Sequence, residues 1–211
     1  MSENSFSGGG YTVTEQAAKP GKSMKPGIQE AVITDIVYKC VGQNNSKLLE
    51  VILTGPPVEG LVDNKGNKIG QVSKSTMWMT PGAWDIPGKM WCTKAKLTVM
   101  ADKLGLTSQF EAINGENEED FVNKVATIFK GKKARFVIGG EEDQFENDKG
   151  EKITFVRPQM ATFGFIESTD VPLNESKLKF NEEKMIKKLE VSDSVSDDIA
   201  NSADADEASP W

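Results

Sequence analysis

In NEEDFVNKVATIFKG the apolar side chains fall at Phe121, Val122, Val125, Ile128 and Phe129, a spacing that sets one stripe of an α-helix against a core. Carboxylates at its start and Lys130-Gly131 at its end predict where that helix begins and stops. KAKLTVMADKLGL predicts a shorter helix ending near Gly105. Elsewhere the repeat is two residues. GIQEAVITDIVYKC and SKLLEVILTG are rich in β-branched side chains and flank the turn-forming GQNN, which predicts a hairpin. PPVEGLVDNKGNKIG reads as a loop or ribbon turning at Asn64 to Asn67. In QVSKSTMWMT, closed by Pro81-Gly82, Lys74, Thr76, Trp78 and Thr80 share one face of a strand while Met77 and Met79 take the other. AWDIPGKMWCT, broken by Pro and Gly, reads as a loop or ribbon. GKKARFVIGGEEDQF and EKITFVRPQMATFGFIE flank the turn ENDKGE and predict a long hairpin that closes the sheet.

These elements divide the chain into a flexible arm over residues 1–27, a folded body over 28–170, a connecting segment over 171–190 and a disordered acidic tail over 191–211. The connecting segment holds a short predicted helix from Asn181 to Glu190. The order of strands, helices and a last hairpin lacks the βαβ alternation of a parallel sheet. The expected fold class is therefore β-rich, a small β-barrel with one or two helical inserts and disordered termini.

Charge sharpens this division. The formal net charge of the 211 residues is -7, but residues 191–211 carry six acids (Asp193, Asp197, Asp198, Asp204, Asp206, Glu207) and no base, so the remainder sits at -1. The sequence pI of about 4.9 would argue against a nucleic-acid partner. That value mostly reflects the tail. Cys40 and Cys92 stand at no metal-ligand spacing and require no disulfide, which suits a reducing compartment. No apolar run is long enough for a membrane helix, and the N-terminus has no secretory pattern. A cytoplasmic protein is expected, with no membrane partner.

The complete lack of histidine removes Ser-His-Asp and Cys-His catalysis and histidine-containing zinc sites. Gly21-Lys22-Ser23 resembles the end of a phosphate-binding loop, but Gln16 stands where its first glycine belongs and no helix pattern follows. The acidic groups Glu118-Glu119-Asp120 and Glu141-Glu142-Asp143 read as a helix opening and a turn flank, more simply than as a Mg²⁺ site. No cofactor or metal is expected, and no enzyme activity.

What remains is aromatic and cationic. Trp78 lies on a polar strand face beside Lys74, where an indole has little reason to be unless a flat ligand stacks on it. Trp84 and Trp91 flank it in the following stretch. On the last hairpin, Ala134, Phe136 and Ile138 share one face while Lys133 and Arg135 take the other; Lys152 and Arg157 lie across the turn, with Phe136 or Phe155 close by. Arg135 and Arg157 are the only arginines. Together these residues suggest a groove that tracks a phosphate backbone. A polyanionic tail tethered to that groove would compete with nucleic acid at high effective concentration. Once displaced, Pro210-Trp211 would offer a partner protein an apolar anchor with a carboxylate, while the acids steer the encounter.

The chain resembles the phage-type single-stranded DNA-binding proteins built on an OB-fold. The resemblance rests on SDDIANSADADEASPW, on KSTMWMT and on DFVNKVATIFKGKKARFVIGG followed by KITFVRPQMATFGF. It implies an OB-fold-like barrel that binds single-stranded DNA without sequence preference during replication, recombination or repair. It also implies recruitment of replication or recombination proteins through the tail. Two other readings stay open: a phage accessory or virion module for protein contacts alone, and a metal-dependent nuclease. Strand order and oligomeric state, monomer or dimer, are not given by the sequence.

Overall fold

The alternating stretches form strands and the 3.6-periodic stretches form helices in the computed structural model, which describes residues 21–89, 92–161, 166–174 and 178–189. β1 (Gly27–Val41) and β2 (Ser46–Val62) make the first hairpin, and β3 (Lys68–Trp78) follows antiparallel to β2. Three helices come next, α1 (Thr93–Lys103), α2 (Thr107–Glu111) and α3 (Glu118–Phe129). β4 (Lys133–Glu146) and β5 (Lys152–Met160) form the second long hairpin; β6 (Ile166–Ser168), α4 (Glu182–Met185) and β7 (Ile186–Lys187) finish the described chain.

The sheet runs β3-β2-β1-β4-β5, and its two outer strands meet. They are joined by side chains. The Ser73 hydroxyl donates to the Pro158 carbonyl at 3.2 Å, and the Met160 N–H donates to the Ser75 hydroxyl at 2.6 Å. Pro158 has no N–H to offer a ladder, so the two serines, buried and facing inward, give this seam hydrogen bonds it would otherwise lack. The result is a β-rich barrel with helices inserted between β3 and β4, as the patterning predicts, and it is OB-fold-like, as the resemblance implies.

The interior is filled by Ile33, Leu49, Val51, Leu53, Phe136 and Ile138 from the strands and by Leu97, Met100, Val122, Val125 and Phe129 from the helices. Burying one such side chain contributes about 1.5–3 kcal/mol, so the apolar stripe of α3 is what holds this helix to the barrel. Its start is capped by Asn117, whose side chain accepts from the Asp120 N–H at 2.9 Å. Its stop is Gly131 at φ 82°, a left-handed conformation that aims its N–H at the Ile33 carbonyl, 2.8 Å away, where β1 carries a bulge.

Four boundaries differ from the sequence reading. The arm does not run to residue 27: Val72 donates to the Lys22 carbonyl and Met24 to the Val72 carbonyl, both at 2.9 Å, and Met24 is buried. The ribbon over residues 56–70 is an extension of β2 and β3, irregularly paired through Pro57 opposite Gly70 and Val62 opposite Lys68. α2 adds a third helix, too short to show a period. The helix expected from Asn181 to Glu190 is a single turn, after which β7 runs parallel to β4 through Gly140↔Ile186 and Glu141↔Lys187. Gly139 is what admits this strap, since a Cβ there would come within 2.2 Å of the Met185 carbonyl oxygen. Ile186 of the strap and Leu178 before it are buried.

Candidate nucleic-acid interface

β3 presents Lys74, Thr76 and Trp78 outward while Ser73, Ser75 and Met77 point into the barrel. Trp78 is 44% exposed, a large apolar ring on an otherwise polar face. Its backbone is held by the Thr93 hydroxyl, which donates to the Trp78 carbonyl at 2.6 Å from the start of α1. The ring therefore stands on a fixed strand.

On β2 the opposing residues are Ile52, Glu50 and Leu48. Glu50, opposite Thr76 on this face, is paired with Lys39 of β1 at 2.8 Å. Lys74 makes no ion pair with any described residue, so its charge is available to an outside anion. Lys39 is a residue the sequence reading missed; its position opposite Leu48 depends on a register that spans both strands.

Trp84 lies beyond the end of β3, half-buried and edge-on to Phe121 with ring centroids 5.4 Å apart at 87°. It walls a cleft of about 950 Å³ between the β1–β2 turn, the segment after β3 and the start of α3. At its rim Lys47 is paired with Glu118 at 2.5 Å, and Lys94, also lining the cleft, is paired with Asp85 at 2.6 Å. The hydrogen bond from Lys47 holds the Glu118 carboxyl below its usual range. Trp91 lies outside the described residues, as do the tail residues Asp193, Asp197, Asp198, Asp204, Asp206, Glu207, Pro210 and Trp211.

The cationic patch expected on the last hairpin does not assemble. Phe136 is fully buried in the core and cannot stack on a base. Arg135 is 14% exposed at its side chain and donates to the Val171 carbonyl at 2.7 Å and the Ser168 carbonyl at 3.3 Å. It also stands 3.7 Å from Glu30 and 3.6 Å from Glu167. The buried Oε2 of Glu167 has no hydrogen bond to any described residue, and this guanidinium is the charge that faces it. Lys133 pairs with Glu30 at 3.0 Å and holds that carboxyl below its usual range.

Arg157 lies opposite Glu141, six residues along β4 from Arg135 and so about 20 Å away. It is ion-paired with Asp143. Lys152 stands opposite Glu146, and the hairpin from Glu141 to Arg157 carries six acids against three bases. Its aromatic content is real. Phe155 is 40% exposed and packs edge-on against Phe145, which is 51% exposed, with Ile153 beside them. Phe145 is the one apolar residue of EEDQF and continues no alternation, so the sequence reading does not single it out.

The acidic groups are likewise engaged with lysines. Glu118 is bound to Lys47 and Asp120 to Lys124, while Glu141 and Glu142 clamp Lys187 and Lys188 of the strap. No group of three metal-ligating side chains occurs among the described residues. No described helix is long and apolar enough to cross a membrane. Cys40 is exposed and Cys92 buried, both as free thiols. No known family model matches the chain, and no curated protein matches it significantly.

Proposed function

We propose that this protein binds single-stranded DNA along the outer face of β3, as a non-enzymatic component of replication, recombination or repair. The observation that carries the reading is Trp78, exposed on β3 with Lys74, which has no ion-pair partner among the described residues, four residues away on the same face. A base stacked on an aromatic ring contributes about 1–3 kcal/mol, and a lysine beside it attracts the adjoining phosphate. The β2–β3 face is also where OB-folds bind oligonucleotides. In this reading the acidic residues 191–211 compete for the same face and, when displaced, recruit a partner protein.

The test is binding of labelled oligo(dT) to the full chain and to a form ending at Glu190, at low and moderate salt. Tighter binding by the shortened form, weakening as salt rises, is the expected result. Failure of both forms to bind overturns the proposal. A protein-contact module is the second reading, favoured by the apolar Phe145, Ile153 and Phe155 on a hairpin with excess negative charge. It predicts no salt-dependent oligonucleotide binding.

A further inference from the structure

We infer that the cleft beside Trp84 is a pocket for one unstacked base of the strand crossing Trp78, and that it makes binding sensitive to base identity at that point. The inference rests on the DNA reading above and goes beyond it, since stacking and phosphate contacts alone discriminate little between bases.

Continuity is the first argument. Thr80 follows Trp78 by two residues, extends the alternating line of Lys74, Thr76 and Trp78, and itself lines the cleft. A strand laid along β3 in the direction of the chain therefore reaches the cleft directly after the exposed indole. The volume of about 950 Å³ is at the upper end of the range for small-ligand sites.

Charge decides which part of a nucleotide belongs there. Lys47 and Lys94 are already neutralised by Glu118 and Asp85, and Glu116 adds a further carboxylate to the lining. Such a site repels a phosphate and the acidic tail alike, but accepts a neutral base. Met79, Pro81, Trp84 and Phe121 supply apolar walls.

The recognition chemistry lies on the β1–β2 turn. Asn44 and Asn45 line the cleft, and their side-chain amides make no hydrogen bond to any described residue. Each amide presents a donor and an acceptor together, the combination that pairs with a base edge. Asn45 sits at φ 47°, so the turn holds it in a left-handed conformation that asparagine tolerates.

The test compares labelled oligo(dT), oligo(dC), oligo(dA) and oligo(dG) of equal length against the full chain and against the double variant Asn44→Ala, Asn45→Gly. Glycine keeps the left-handed turn, and a thermal melt checks that the barrel is intact. Affinities of the unaltered protein are expected to spread by roughly 5-fold or more, and the variant is expected to compress that spread to about 2-fold. A spread unchanged in a variant that melts like the parent overturns the pocket while leaving the DNA reading in place. So does a uniform affinity in the unaltered protein. A labelled peptide of residues 201–211 that binds the full chain but not the double variant, with the oligonucleotide spread the same in both, assigns the cleft to the tail and overturns the inference. If none of the four strands binds either the full chain or a form ending at Glu190, the DNA reading falls and the inference with it.

Discussion

The outer face of β3 and the β4–β5 hairpin both set lysine or arginine beside an exposed aromatic ring, yet they differ in where their charge goes. On β3, Lys74 has no carboxylate partner among the described residues, and Glu50 is held by Lys39. On the hairpin, Arg157 is tied to Asp143, and the strand bases behind it, Arg135 and Lys133, are tied to Glu30 and Glu167. The guanidinium groups are thus ion-paired within the protein, while the proposed nucleic-acid face offers an ammonium with no ion-pair partner among the described residues, beside an indole. A cation's place in the sequence says little about its availability. Its cross-strand neighbours decide that.

The comparison can be broken by substitution. Phe136→Ala removes a fully buried ring and should cost about 3–5 kcal/mol, lowering Tm by roughly 10 °C. The protein that remains folded should bind oligo(dT) normally; a selective loss of affinity would return Phe136 to the binding site. Arg135→Met should cost about 2 kcal/mol, because it strands the buried Glu167 carboxylate. Thermal denaturation beside an oligonucleotide titration separates that loss from any loss of binding. The smallest effects sharpen the contrast most. Lys74→Gln should reduce the slope of log affinity against log salt by about 0.7, the value for one phosphate contact on a single strand. Arg157→Gln and Lys133→Gln should leave that slope unchanged, since their charges are already compensated within the protein.

Much of the barrel was legible because its signals are local. Alternation in KSTMWMT placed Lys74, Thr76 and Trp78 outward and Met77 inward, and the stripe of α3 placed Val122, Val125 and Phe129 in the core. The same alternation set Phe136 on one face with Ala134 and Ile138, but only the structure shows that this face points inward, so the reading of Phe136 as a stacking residue fails. What could not be read depends on residues far apart in the chain. The Ser73 and Ser75 bonds that close the barrel join positions 85 residues distant, and the strap over Gly139 includes a strand of only two residues. The ion pairs that claim Arg135 and Arg157 follow from registers no single segment reveals. Trp84 was picked out by residue type, but the cleft it walls is assembled from three separate stretches.

The most direct test of the account is Trp78→Ala, measured for oligo(dT) affinity and thermal stability on the same preparation. The account predicts a loss of affinity of about 1–3 kcal/mol, roughly 5- to 150-fold, with Tm changed by less than about 3 °C. A large fall in Tm with affinity unchanged would contradict it, and would make the indole a part of the barrel's packing.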